Sequence, residues 1–199
     1  MVNSVRSYIA ENRARFLEEW ASLIRIPSVS CQPVHQADML RCAERWRELL
    51  LEAGAQYAEV MPSKGNPFVY AEYSPLASSP NSLITSDIPT VLVYSHYDVM
   101  PAEPLELWNS EPFEPSIRDG RLYARGADDD KGQAMIQVKA FEYLVRQGLM
   151  NCRVKFIFEG EEEIGSPSLE TFLEEHRDLL ACDIILVSDT SMIGKDTPS

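Results

Sequence analysis

The stretch that decides the fold is Val-Leu-Val-Tyr-Ser-His-Tyr-Asp at residues 91–98. Its first four residues favour a β-strand, and His96 and Asp98 follow at the point where that strand should end. An imidazole with a carboxylate within reach of its second nitrogen is a common way to present a metal ligand in a fixed tautomer. Taken alone, a His-x-Asp after a strand is more often the polar start of a loop, so the other strands must decide.

Two more apolar runs of strand length lie farther along the chain, at residues 154–158 and 184–187. Amphipathic helices are predicted on either side of the run at 154–158, at about 131–147 before it and about 167–178 after it. Short apolar strands that alternate with helices predict an α/β fold, with a largely parallel or mixed sheet covered by helices.

The preceding residues are predicted to add helices and strands to this core. Helical periodicity covers residues 4–25 and about 37–53, and short strands are expected near 55–60 and 67–73. Residues 74–89 are poor in charge and rich in Ser and Pro, which predicts an exposed excursion rather than a domain linker.

Composition excludes some classes of function. The net charge of −13, from 31 acidic against 18 basic residues, argues against nucleic-acid or anionic-membrane partners. The first residues lack the apolar core of a signal peptide, and no run approaches transmembrane length. The four cysteines show no CxxC pairing. We therefore expect a cytoplasmic protein with reduced thiols.

Acidic clusters accompany the predicted strands. They lie at 159–163 and at Asp189, each just after a strand, and at 128–130, where a helix opens. Each cluster alone is more often a solvated helix start or loop. However, ligands of open α/β sheets bind at the carboxyl ends of the strands, and so many carboxylates in one crevice need cations. Imidazole and carboxylates without thiolates suit Zn²⁺, Mn²⁺ or Co²⁺ in a hydrolase, with a neighbouring carboxylate as the base.

Four motifs resemble one family. SHYDVMPAE, WNSEPFEPSIRDGRLYARGADDDKG, FEGEEEIGS and VSDT are similar to motifs of the zinc-dependent metallopeptidases that include aminoacylase, carnosine dipeptidase and succinyl-diaminopimelate desuccinylase. Matches run from about residue 15 to the C-terminus, and the segment 108–132 resembles the dipeptidase branch. The resemblance implies an enzyme that hydrolyses the peptide bond of dipeptides or short peptides. Its cofactors would be two zinc ions, with Mn²⁺ or Co²⁺ possible.

Position by position, the resemblance implies the ligands of the first zinc. His96 and Asp189 would bind it, Asp98 would orient the imidazole ring, and Asp129 would bridge it to the second zinc. Because Asp129 lies in a run of three aspartates, a register shifted by one residue stays open there.

The resemblance also implies the second zinc and the general base. Glu163 would be a ligand of the second zinc. Glu162 would deprotonate a water that bridges the two metals and then pass the proton to the leaving amine. A one-residue shift stays open here too, because Glu161 precedes them.

The chain differs from the family in length. Family members continue with a lid or dimerisation domain, and then with a catalytic segment that gives the second zinc a last histidine. Residues 1–199 are therefore expected to be the N-terminal part of the catalytic domain, without those two parts, and the full-length form is expected to be a homodimer. Neither His35 nor His176 is placed to replace the missing imidazole. We expect the chain alone to be weakly active or inactive and to bind one zinc more tightly than the other.

Two alternatives to a peptidase stay open. The same machinery serves N-acyl-amino-acid deacylases of the acetylornithine deacetylase or succinyl-diaminopimelate desuccinylase type. A chain of this length could also be a non-catalytic metal-binding module.

Overall fold

The computed structural model describes residues 2–75, 88–194 and 197. The helices in these ranges are α1 (Val2–Ile24), α2 (Gln36–Ala53), α3 (Lys131–Arg146), α4 (Leu169–Glu175) and α5 (Arg177–Leu180). The strands are β1 (Tyr57–Met61), β2 (Phe68–Tyr73), β3 (Thr90–His96), β4 (Ser116–Arg118), β5 (Arg121–Tyr123), β6 (Arg153–Glu159) and β7 (Ile184–Val187). Single turns of 3-10 helix lie at Pro33–His35, Leu105–Leu107 and Glu162–Ile164.

Most of the predicted elements are present close to their predicted bounds. The helix expected at about 167–178 is instead two short helices, α4 and α5, which meet at His176. The sequence analysis missed the β4–β5 hairpin, although its Asp119-Gly120 turn is a typical hairpin signal. Both turn residues have the positive φ that such a turn requires, 50° and 76°. Residues 76–87 of the expected excursion lie outside the described residues.

The main sheet has five strands in the order β1-β2-β6-β3-β7. β3 runs parallel to both β6 and β7, whereas β2 runs antiparallel to β1 and β6. The sheet is therefore the mixed form of the expected α/β fold.

Helices cover both faces of the central strands. On one face, α2 and α3 pack on β2, β3 and β6 around the fully buried Trp46 and Phe156. On the other face, Phe172 of α4 and Leu180 of α5 pack against β1, β2, β3 and β6. Phe172 stacks on Phe68 with ring centroids 3.9 Å apart.

This arrangement creates a crevice at the carboxyl ends of β3 and β6. The adjacent parallel strands β3 and β6 are followed by helices on opposite faces, α3 after β3 and α4 after β6. Such a switch point separates the two connections and opens a crevice at the carboxyl ends of the strands. His96 ends β3 and Glu159 ends β6, and the two are register partners.

In the described part of the chain, the helices that flank the sheet do not cover β7. Within the described residues β7 pairs with β3 alone, and its four side chains are 45–63% exposed. A second uncovered apolar surface is a groove of about 660 Å³ between α1 and α3, lined in part by Ile9, Trp20 and Ile136.

A buried ionic cluster joins α1 to α3. The Glu142 carboxylate is fully buried and accepts hydrogen bonds from Tyr8 (2.7 Å), Arg15 (3.2 Å) and Lys139 (2.8 Å). Arg146 also pairs with it, at 3.0 Å. Burial alone would raise the pKa of Glu142, but its hydrogen bonds to Arg15, Lys139 and Tyr8 outweigh burial and lower that pKa to about 2.

None of the helices in the described part of the chain is both long enough and apolar enough to cross a membrane. All four cysteines are free thiols.

Candidate metal centre

Three side chains from distant parts of the chain meet at the crevice. His96 Nε2 lies 3.0 Å from Asp129 Oδ1 and 3.5 Å from Asp189 Oδ2. One ligand atom from each residue falls within 4.8 Å of the other two. His96 ends β3, Asp129 precedes α3, and Asp189 follows β7, so three elements of the fold each deliver one donor.

Asp98 fixes the orientation of the His96 ring. His96 Nδ1 lies 3.2 Å from Asp98 Oδ1 and 3.1 Å from the Asp98 carbonyl oxygen. The two residues are almost completely buried. The Asp98 carboxylate also accepts the backbone N–H groups of Glu162 (3.2 Å) and Glu163 (3.1 Å). A proton held on Nδ1 by Asp98 leaves Nε2 with the lone pair that a metal ligand needs.

The electrostatics of the crevice favour a positive charge. Burial alone would lower the pKa of His96, but the hydrogen bond and charge of Asp98, with the charges of Asp130 and Asp129, raise it to about 10. Among the described residues, His96 Nε2 is buried and makes no hydrogen bond. One nitrogen and two carboxylate oxygens around a site that attracts cations fit a divalent metal such as Zn²⁺.

The consecutive residues of the Asp-Asp-Asp-Lys-Gly run have different surroundings. Asp129 is the aspartate that faces His96, and its side chain is 62% exposed. Asp130 is fully buried and accepts the backbone N–H of His96 at 3.1 Å. Burial raises the pKa of Asp130 to about 7. The peptide bond between Asp129 and Asp130 is cis.

Lys131 and Gly132 attach this turn to the rest of the fold. The buried Lys131 Nζ donates to the carbonyl oxygens of Leu23 (2.9 Å) and Ile26 (2.8 Å), at the end of α1. A Cβ atom at position 132 would lie 2.1 Å from the carbonyl oxygen of Ala127, so only glycine permits this close approach.

The glutamates after β6 also separate by surroundings. Glu162 Oε2 lies 3.9 Å from His96 Nε2, and its side chain is 41% exposed. Glu161 is buried and accepts the backbone N–H groups of Asn66 (3.1 Å) and Ser168 (3.2 Å). In this geometry Glu162 faces the crevice, and Glu161 binds the loop around it.

Glu163 is half-buried beside the centre. Burial first, and then the charge of Asp129, raise its pKa. Within the described residues it is not one of the three side chains whose donor atoms meet at a single point.

Sequence reasoning placed Glu159 in an acidic cluster but missed its role in supporting the centre. Glu159 is fully buried, and its Oε1 atom accepts from Ser166 Oγ (2.9 Å) and from the Tyr94 hydroxyl. Burial raises the pKa of Glu159. These contacts join the loop after β6 to β3. The available signal was the place of Glu159 directly after the predicted strand 154–158, which is comparable to the place of His96 after the strand at 91–94.

The other two histidines lie apart from the centre. His35 Nδ1 pairs with Asp38 Oδ2 at 2.7 Å, and the His176 ring packs on Phe172 with centroids 4.4 Å apart. Neither belongs to the group of three donors.

Comparison with known proteins identifies a family. The sequence model of Peptidase family M20/M25/M40 matches residues 92–197. This match includes His96, Asp129, Glu162, Glu163 and Asp189.

Individual relatives are peptidases by name. The chain is 31% identical to the probable di- and tripeptidase DUG2 of Saccharomyces cerevisiae, over 94% of this chain and 22% of that protein. It is 31% identical to human beta-Ala-His dipeptidase, over 100% of this chain and 40% of that protein. The chain thus spans two fifths or less of the length of these relatives.

A solved structure of a peptidase from the same family also resembles the chain. The M20 family metallo-carboxypeptidase Sso-CP2 from Sulfolobus solfataricus superposes with a TM-score of 0.78 at 30% identity. The match covers 92% of this chain and 38% of the other.

Proposed function

The chain belongs to Peptidase family M20/M25/M40, and from this membership we propose that it forms part of a metal-dependent catalytic domain that hydrolyses dipeptides or short peptides. The observation that carries the proposal is the convergence of His96, Asp129 and Asp189, whose donor atoms lie within 4.8 Å of one another. The names of the relatives, di- and tripeptidase and dipeptidase, support the class of substrate.

We assign the metal ligands as follows. His96, Asp129 and Asp189 would hold a first zinc ion, and Asp129 with Glu163 would contribute to a second. A zinc ion bound there would polarise the substrate carbonyl and make a water molecule more acidic. The same donors accept Mn²⁺ or Co²⁺.

Asp98 would orient a metal ligand, and Glu162 would transfer protons. Asp98 holds the His96 ring with Nε2 directed into the crevice, because it accepts from both Nδ1 and the backbone of the next loop. Glu162 projects to the same point and is partly exposed, as a proton carrier must be. Glu162 would take a proton from the attacking water and give it to the amine that leaves.

We propose further that residues 1–199 are the N-terminal part of this catalytic domain. The relatives are two and a half times as long or longer, since the chain covers 22–40% of them. The uncovered apolar edge at β7 and the apolar groove between α1 and α3 are surfaces that a further part of the domain would bury. A lid or dimerisation domain would follow, a final catalytic segment would then give the second metal its last histidine, and the full-length form would be a homodimer.

Zinc titration by calorimetry tests the metal site. The 199-residue chain should bind one Zn²⁺ clearly more tightly than a second, and His96→Ala should weaken the tighter site at least tenfold. His35→Ala is the matched control, because His35 pairs with Asp38 outside the crevice. Equal binding by wild type and His96→Ala would disprove the assignment.

The class of substrate needs the full-length protein. Its turnover of a dipeptide panel should exceed its turnover of N-acetyl and N-succinyl amino acids. Dominant hydrolysis of the acylated compounds would assign it to the deacylases instead. Tight metal binding without hydrolysis of either set would make it a non-catalytic module.

A further inference from the structure

Asp189 has little support from its own strand. It follows β7, the edge strand whose side chains are exposed and whose one neighbour among the described residues is β3. The Asp189 side chain is itself 32% exposed. A carboxylate on such a loop needs other contacts to hold one orientation, because ordering a free side chain costs conformational entropy.

Two glutamines of α3 supply these contacts. Gln133 Nε2 donates to Asp189 Oδ1 (3.4 Å), and Gln133 Oε1 accepts the backbone N–H of Thr190 (3.0 Å). Gln137 Nε2 donates to Ser188 Oγ. Among the described residues, the hydrogen bonds that reach 188–190 from other elements all come from these two side chains.

The spacing explains why one helix can hold the whole loop. Residues four apart lie on the same face of a helix, so Gln133 and Gln137 point to the same side of α3. Asp129 lies two residues before α3 begins. One helix, α3, therefore sets the positions of two proposed ligands. Asp129 is connected to the start of α3 by the backbone, and Asp189 is held by hydrogen bonds from its side chains.

The two oxygens of Asp189 have different partners. Oδ1 faces Gln133 at 3.4 Å, and Oδ2 faces His96 Nε2 at 3.5 Å. A donor on one oxygen directs the other toward the point where the three proposed ligands meet. Side chains that hydrogen-bond a metal ligand in this way typically change metal affinity 10–100-fold when they are removed.

We propose that Gln133 is a positioning residue for Asp189: it fixes the carboxylate through Oδ1 and the loop through Thr190, so that Oδ2 is presented to the metal. Gln137 assists by holding Ser188. This inference rests on the metal-binding role proposed above for Asp189.

The test compares Gln133→Leu with wild type in the 199-residue chain. Leucine has a similar size and good helix propensity, but it can neither donate nor accept a hydrogen bond. Zinc affinity by calorimetry should fall about tenfold or more. The visible spectrum of the Co²⁺-loaded chain should change, because it reports the geometry of the ligands. The melting temperature of the metal-free chain should stay nearly unchanged, since Gln133 is partly exposed.

Gln147→Leu is the matched control. Gln147 is exposed at the other end of α3, about 20 Å along the helix from Gln133, and should leave affinity and spectrum unchanged. Gln133→Ala serves as a second variant if leucine lowers stability. Wild-type affinity and spectrum in a folded Gln133 variant would overturn the inference and leave the metal site intact. Failure of the wild type itself to bind zinc or cobalt would overturn the proposed function, and this inference with it.

Discussion

At the scale of single residues, acids of the same type and in adjacent positions differ by their surroundings. Glu161 is buried against two backbone N–H groups, whereas Glu162 is partly exposed and faces His96. The sequence predicts that this cluster lies beside His96, because both follow strands of one sheet. Residue type does not show which glutamate faces the crevice. The backbone conformation of the turn determines where each side chain points. The same applies to Asp129 and Asp130.

Glu162→Gln in the full-length protein should lower peptide hydrolysis at least 100-fold, because an amide cannot accept the proton of the attacking water. The zinc content should stay the same, since Glu162 is assigned as the base and not as a ligand. Steady-state kinetics together with metal analysis of the purified variant measure both effects. Glu170→Gln, an exposed change on α4, is the control. Loss of zinc in Glu162→Gln would instead make Glu162 a ligand.

At the scale of elements, period and length in the sequence predict most helices and strands, but not how the strands pair. The apolar runs at β2 and β6 look alike, and nothing in their composition shows that they pair antiparallel while β3 and β6 pair parallel. The chain connections decide direction. The junction between α1 and α3 is also invisible in the sequence, because Arg15 and Glu142 are 127 residues apart.

Glu142→Gln should lower the free energy of unfolding at pH 7 by about 3 kcal/mol, because it removes the buried counter-charge of Arg146 and leaves Arg15 and Lys139 to share Glu19. The pKa of Glu142 is lowered to about 2 from its ordinary 4.5. Its contribution is therefore fully present above pH 4.5 and is lost as the pH falls toward 2. Urea unfolding at several pH values between 7 and 3 measures this.

In that series, the difference between wild type and Glu142→Gln should shrink steadily below pH 4.5. Glu174→Gln, an exposed change on α4, should show almost no difference at any of these pH values. A gap between wild type and Glu142→Gln that is the same at pH 7 and pH 3 would contradict the assigned ionic role.

At the scale of the whole molecule, the helices in the described ranges cover both faces of the sheet at its centre but leave the β7 edge exposed. The alternation of strands and helices predicts the α/β architecture, and the family resemblance predicts that more chain is needed. The sequence alone could not show which strand of the sheet is left exposed. That becomes visible at the side chains of β7, which are apolar and yet 45–63% exposed.

Substitution of one residue in β7 tests whether this edge strand causes the chain to self-associate. In the 199-residue chain, Ile185→Lys should reduce concentration-dependent self-association in sedimentation velocity, since a charge on an edge strand opposes pairing with another strand. Val34→Lys is the control, because Val34 is 78% exposed but lies away from the sheet edge. Identical sedimentation of wild type and Ile185→Lys across the concentration range would show that the edge is inert.

In the part of the chain that the structure describes, β7 pairs on one side only, and its unpaired edge also bears on how the isolated chain behaves in solution. An uncovered Ile-Ile-Leu-Val strand is a template onto which a second chain can add. We therefore expect this chain to be lost from solution by concentration-dependent association while it is still folded. Dilution, or a segment that occupies the edge, should keep it in solution more effectively than cooling.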